Sequence, residues 1–175
     1  MILIEIIAAL LTLISAYQAK ELDRNTWYVG GLASIFYALI FIHQELYGLF
    51  LFQGFCIVQA IQGHIEWKKL NVNSAKLKDW FLFSLLTPVG CVVAYSHEGF
   101  KLLDFFITAF SFGATYLLIK GKRESWYIWG LVNVISVFLF IKAQLWISTV
   151  TYILLLINSI FAIWKWRKNG KTVSY

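Results

Sequence analysis

The feature that most constrains this chain is a series of uninterrupted apolar runs, each roughly 17 to 23 residues long, the length an α-helix needs to cross a bilayer core. The strands of a membrane barrel would instead alternate over segments of about ten residues, and these runs do not alternate. Helices are therefore expected at Ile2 to Ala19, Trp27 to His43, Glu45 to Trp67, Trp80 to Tyr95, Leu102 to Lys120, Ser125 to Ile141 and Gln144 to Trp166. Of the 175 residues, 60% are hydrophobic and 14% charged, against about 25% charged in a soluble domain. Mean hydropathy is +0.72, and no large soluble domain is left over. The first run has no basic n-region, carries Glu5 and offers no small-residue cleavage site before Lys20, so it reads as a retained span.

Charge sets the expected orientation. Lys20 and Arg24, Lys68, Lys69, Lys76 and Lys78, Lys120, Lys122 and Arg123, and Lys165, Arg167, Lys168 and Lys171 all fall on one side of the spans. Only Lys101 and Lys142 of the 15 basic residues fall on the other. The positive-inside rule then puts the C-terminus in the cytoplasm and the N-terminus outside. The net charge of +6 sits in short loops beside helix ends, where orientation and anionic lipid account for it without a nucleic-acid partner.

The chain also repeats itself. One constant offset, applied without a gap from Leu3 through Lys69, carries Tyr17 onto Tyr116, Arg24 onto Arg123, Trp27-Tyr28 onto Trp126-Tyr127, Gly31-Leu32 onto Gly130-Leu131, Leu46 onto Leu145 and Trp67 onto Trp166. Glu5 falls on Asp104 and Thr26 on Ser125. Leucine-rich stretches align by composition alone, but tryptophans and charges do not. Because four helices separate equivalent positions, both copies cross in the same direction. The expected fold is all-α and integral to the membrane, with seven transmembrane helices as two parallel three-helix bundles joined by a linker helix. Residues 1–69 form the first repeat, 70–100 the linker and 101–175 the second repeat.

In parallel-repeat carriers the solute site lies near the midplane between the repeats, so polar residues inside the spans become candidates. Trp126, Trp129, Asn133 and Ser136 follow helical spacing and share one stripe. Trp126 also suits an interfacial belt, whereas Trp129 is a turn deeper, and an amide at the depth of Asn133 must face protein, water or ligand. Gln53, Gln59 and Gln62 in the third helix and Thr151, Tyr152 and Asn158 in the seventh lie at comparable depths, and the repeat sets Gln53 opposite Tyr152 and Gln59 opposite Asn158. Any one of these amides could simply join helices.

No Lys or Arg lies mid-span to meet a phosphate or carboxylate. Tryptophan faces suit a flat or cationic ring, and amides suit carboxamides and hydroxyls, so a neutral or cationic nucleoside-like vitamin is the expected solute. Glu5 and Asp104 lie near helix ends, where a solvated carboxylate is cheap, although either could couple an ion. Cys56 and Cys91 fall within spans and offer neither a disulfide framework nor a metal-ligand spacing. His43, His64 and His97 form no metal box, no phosphate-binding glycine loop is present, and neither a metal nor a cofactor is expected. An intramembrane enzyme would have to use His64 or Glu66.

From Glu124-Ser125-Trp126-Tyr127-Ile128-Trp129-Gly130-Leu131-Val132-Asn133 through Ser136, Leu145-Trp146, Tyr152 and Trp166, with Leu46-Tyr47 and Gln53 in the first repeat, the chain resembles the PnuC family of bacterial nicotinamide riboside transporters. The specific motif is Trp-x-x-Trp-x-x-x-Asn. The resemblance implies a three-one-three arrangement similar to the SWEET sugar carriers, a homotrimer, and uptake across the bacterial cytoplasmic membrane by facilitated diffusion, with phosphorylation by a separate kinase trapping the nucleoside. It implies substrate contacts at Trp126, Trp129 and Asn133, with Gln53 and Tyr152 as companions; Gln59 and Asn158 join the candidates on their depth and their pairing in the repeat alone. Where many relatives read Tyr-Gly-Trp-x-x-Trp, this chain reads Gln62-Gly63-His64-Ile65-Glu66-Trp67. That departure keeps another B vitamin such as thiamine as the alternative solute. A non-transporting membrane scaffold is the alternative of a different class.

Overall fold

The computed structural model of the chain describes residues 2–85 and 102–168. They form α1 (Ile2–Lys20), α2 (Thr26–His43), α3 (Tyr47–Glu66) with a 3₁₀ turn at Trp67–Lys69, the helical start of α4 (77–85), α5 (Leu102–Ile119), α6 (Ser125–Lys142) and α7 (Trp146–Lys168). The expected linker helix from Trp80 to Tyr95 lies outside the described residues beyond 85, as do Cys91 and His97. Helices α1, α2, α3, α6 and α7 are each long and apolar enough to cross a membrane, and α5 carries a shorter apolar stretch, Phe106–Ile119. A helix satisfies its own backbone polar groups, which is what a segment in lipid requires.

Four helices end in the same way. Asp23 N bonds Gln18 O, Leu46 N bonds Phe41 O, Lys122 N bonds Leu117 O and Leu145 N bonds Phe140 O, all at 2.8 to 2.9 Å. These six-to-one bonds of the Schellman motif require a left-handed residue one position earlier. Leu22, Glu45 and Gln144 take it with φ of 66°, 56° and 57°, and Gly121 with 65°. Glu45 and Gln144, expected to open the third and seventh helices, instead close the second and sixth. At Gly121 any side chain would also meet Leu70 Cδ1 at 2.7 Å and Asn71 O at 2.9 Å.

Packing runs α1 to α2, α2 to α3, α3 to α5, α5 to α6, α6 to α7 and α7 back to α1. The six helices thus close a ring, with two seams, α1/α7 and α3/α5, where the two halves of the sequence meet. The seams are built alike. At one end Glu5 Oε1 accepts from Ser148 N at 2.8 Å and Ser148 Oγ at 2.7 Å, while Asp104 accepts from Gly48 N at 3.0 Å and Leu49 N at 2.9 Å. Both carboxylates are buried. The expectation that they would be solvated fails because each sits against the first turn of a neighbouring helix, where unpaired N–H groups and the helix dipole hold an anion.

At the opposite end, Trp166 Nε1 donates to Lys20 O and Trp67 Nε1 to Ile119 O, both at 3.2 Å. Lys165 pairs with Glu21, and Lys120 pairs with Glu66 at 2.6 Å. The offset of the repeat maps one ion pair onto the other with the charges exchanged.

On the Trp67 side a strap follows the 3₁₀ turn. Asn73 N bonds Gly121 O and Arg123 N bonds Asn73 O, both at 3.1 Å, and Ala75 N bonds Glu124 Oε2 at 2.8 Å. Lys122 Nζ reaches Asn73 Oδ1 at 2.6 Å and Asp79 Oδ2 at 3.3 Å. Burial alone would raise the Asp79 carboxyl, but the Lys76 N–H and the Lys122 ammonium outweigh it and hold the group below the usual carboxylate value.

Candidate solute site

Inside the ring lies a cavity of about 190 Å³. A single water needs only roughly 10 to 15 Å³ on a comparable measure, so the space suits a small organic solute. Trp126, Trp129, Asn133, Gln53, Tyr152, Gln59 and Asn158 all line it. The spacing argument thus leads to one place, because the Trp126, Trp129, Asn133 stripe faces inward on α6 while α3 and α7 turn their amides and Tyr152 toward the same axis. Gln62 does not line it and is exposed.

Aromatic side chains from both halves pack together at each end of the ring. At the Glu5 end Phe41 and Phe140 stack with centroids 5.8 Å apart and planes 7° from parallel, and Tyr152 meets Phe140 edge-on at 4.8 Å. At the other end Trp67 and Trp166 lie 6.2 Å apart. Trp27 meets Trp67 edge-on at 5.3 Å, and Trp126 meets Trp166 likewise at 5.5 Å. Trp126 is 4% exposed, so it belongs to this buried quartet and not to an interfacial belt. Gly63 permits the quartet, since a Cβ there would fall 2.2 Å from the Trp27 ring.

Hydrogen bonding sorts the wall into committed and available groups. Asn158 Nδ2 donates to Ala16 O at 3.1 Å across the α1/α7 seam, so that amide is partly spent on joining helices. Asn133 Nδ2 donates to Ser159 Oγ at 3.2 Å. The indole N–H groups of Trp27, Trp126 and Trp129 are buried without a hydrogen-bond partner among the described residues. Buried donors are normally satisfied, so unpaired ones around a cavity suit a solute that brings acceptors. Trp129 also packs against Phe52, with centroids 6.4 Å apart.

Several wall residues escaped the sequence reading: Trp27, Phe52, Ser15, Ser34, Cys56 and Ser159. Trp27 could have been found, since the repeat pairs it with Trp126. Ser159 and Cys56 carry no such signal. Among the described residues no Lys, Arg or His lines the cavity. His64 and Glu66 lie elsewhere: His64 stacks on Tyr28 at 4.2 Å and Glu66 is held by Lys120. Among the described residues no cluster of three or more His, Cys, Asp or Glu could hold a metal.

A sequence profile of the nicotinamide mononucleotide transporter family matches residues 2–168. The chain belongs to that family. It is thus a multi-pass membrane protein of a vitamin B3 transporter family. Nicotinamide riboside transporter PnuC of Escherichia coli K12 is 23% identical over 77% of this chain and 73% of its own length, and the Shigella flexneri protein of the same name matches equally. Among solved structures, the crystal structure of the vitamin B3 transporter PnuC superimposes with a TM-score of 0.83 at 18% identity, over 94% of this chain and 80% of that one. The likeness fixes the all-helical transporter fold of this family member.

Proposed function

We propose that the chain carries nicotinamide riboside across the bacterial cytoplasmic membrane by facilitated diffusion, the solute lodging in the cavity while the two repeats rock about it. What carries the reading is the cavity wall, in which Trp129, Trp126 and Asn133 converge with Gln53, Gln59 and Tyr152 and no cationic side chain is present among the described residues. A pyridinium ring fits against indole faces. Ribose hydroxyls and the carboxamide answer the unpaired indole N–H groups and the amides. A phosphate would lose its hydration with no Arg or Lys to replace it, which favours the riboside over the mononucleotide and fits trapping by phosphorylation once inside.

Under this reading the Phe41–Phe140 stack and the tryptophan quartet are the two gates. The tryptophan end faces the cytoplasm, where the basic residues gather, and the N-terminus lies outside. Residues 1–69 and 101–175 act as the two moving bodies, joined by the linker at 70–100.

Calorimetry on the full chain purified in detergent tests the assignment. Nicotinamide riboside is expected to bind, and its 5′-phosphate to bind at least about tenfold more weakly, the worth of one charge-assisted contact. Equal affinity for the two, or binding of thiamine alone, overturns the assignment.

A further inference from the structure

Asn133 is 3% exposed and is oriented by one neighbour. Its Nδ2 donates to Ser159 Oγ at 3.2 Å, and Ser159 Oγ donates to Leu155 O at 2.9 Å. A serine hydroxyl has a single hydrogen. That hydrogen is committed to the carbonyl one turn back along α7, the usual resting place of a serine within a helix, so towards Asn133 the oxygen can only accept. The two ends of a side-chain amide have nearly the same shape, so bonding alone decides which way it points. Asn133 must turn its NH2 to Ser159. Its Oδ1 is left on the cavity wall with no hydrogen-bond partner among the described residues.

The first half of the chain offers no such pair. The offset that carries Trp27 onto Trp126 places Ser34 at the position of Asn133 and Ala60 at that of Ser159, and the Ser34 hydroxyl bonds Gly30 O at 3.0 Å. The oriented amide therefore marks one side of the cavity only.

We propose that Ser159 is a positioning residue that fixes Asn133 as an acceptor, and thereby makes the site select the carboxamide form of a pyridine nucleoside over its carboxylate form. The inference rests on the nucleoside reading above and deepens it. A carboxamide NH2 donates to Oδ1. A carboxylate there sets lone pairs against lone pairs, and with no Lys, Arg or His in the wall among the described residues no cationic side chain offsets its lost hydration. The indole N–H groups remain for carbonyl and hydroxyl acceptors on the rest of the solute.

Replacing Ser159 by alanine frees the amide to turn its NH2 into the cavity, which weakens the carboxamide and helps the carboxylate. Threonine keeps a hydroxyl that bonds the same α7 carbonyl. The test is calorimetric binding of nicotinamide riboside and of nicotinic acid riboside to the purified full chain, for the native protein, Ser159→Ala and Ser159→Thr, with thermal unfolding as the control for folding. The native protein is expected to favour the carboxamide. That ratio should fall about tenfold in Ser159→Ala, the scale of exchanging one hydrogen-bond partner, and hold in Ser159→Thr. A merely structural role would lower both affinities together and leave the ratio unchanged, and that result overturns the proposal. So does a ratio lost in Ser159→Thr. Should Ser159→Ala fail to fold, Ser159→Cys carries the same expectation, sulfur being a weak acceptor. Native protein that binds neither riboside overturns the nucleoside reading itself, and the inference with it.

Discussion

At its two ends the helical ring is built twice from the same parts, whereas its middle is not. Trp67 bonds Ile119 as Trp166 bonds Lys20, Asp104 holds the start of α3 as Glu5 holds the start of α7, and Phe41 stacks on Phe140. Halfway between, the repeat sets Gly30 opposite Trp129, Ser34 opposite Asn133, Gln53 opposite Tyr152 and Ala60 opposite Ser159. Closing a ring in lipid poses the same problem at both seams: unpaired helix ends must find partners, and the same side chains solve it. A solute with an aromatic end and a sugar end has no twofold symmetry, so a site for it must depart from the symmetry of its frame.

The equivalence of the seams can be broken by experiment. The largest effect is expected at the buried carboxylates. Asp104→Ala leaves the Gly48 and Leu49 N–H groups without an acceptor, and Glu5→Ala does the same to Ser148, so each should cost roughly 3 kcal/mol. Thermal unfolding in detergent should show similar losses, and a variant that loses nothing would mean that its seam is held by other contacts. Trp67→Phe and Trp166→Phe each remove one hydrogen bond while keeping most of the ring, and each should cost about 1 kcal/mol. A loss several times larger on one side would show that the tryptophan quartet is not shared evenly between the seams.

The strap supplies a pH test. Because Asp79 is held below its ordinary value of 3.8, its contribution is fully present above about pH 4 and is lost as pH falls through the lowered folded-state value. Asp79→Asn should flatten the melting temperature between pH 5 and about pH 3 relative to the native chain. An unchanged slope would place the acid sensitivity elsewhere.

The smallest effect belongs to the exchanged ion pairs. Glu66→Lys should cost about 0.5 kcal/mol, since both partners are about a third exposed and such pairs are screened. Adding Lys120→Glu should restore the loss, because the α1/α7 seam already uses the reversed arrangement. A double variant no better than the single one would show that direction matters.

Much of this was legible in the sequence. Apolar runs place the ends of α1, α2, α3, α5, α6 and α7 within about two residues, since periodicity reports what lies inside a helix, while α4 starts at 77 and not at the expected Trp80. Glu45 and Gln144 were drawn into helices because only Gly121 of the four left-handed residues shows the glycine that usually signals such an end. The offset paired Glu5 with Asp104 and Trp67 with Trp166, but a repeat compares positions and does not say what touches. That these residues bond across the seams became visible only with the ring closed. The stripe of Trp126, Trp129 and Asn133 followed from spacing alone. Ser159 was missed because its importance lies in where one hydroxyl hydrogen points.

The most direct test of the central claim, that the unsymmetrical middle carries the solute, is equilibrium exchange of radiolabelled nicotinamide riboside in proteoliposomes of the native chain and of Trp129→Ala. Exchange by the native chain, reduced at least about tenfold in the variant while its melting temperature holds, is the predicted result, since base–aromatic stacking is worth a factor of this order or more. Exchange that proceeds equally through Trp129→Ala would contradict it and move the solute path away from this cavity.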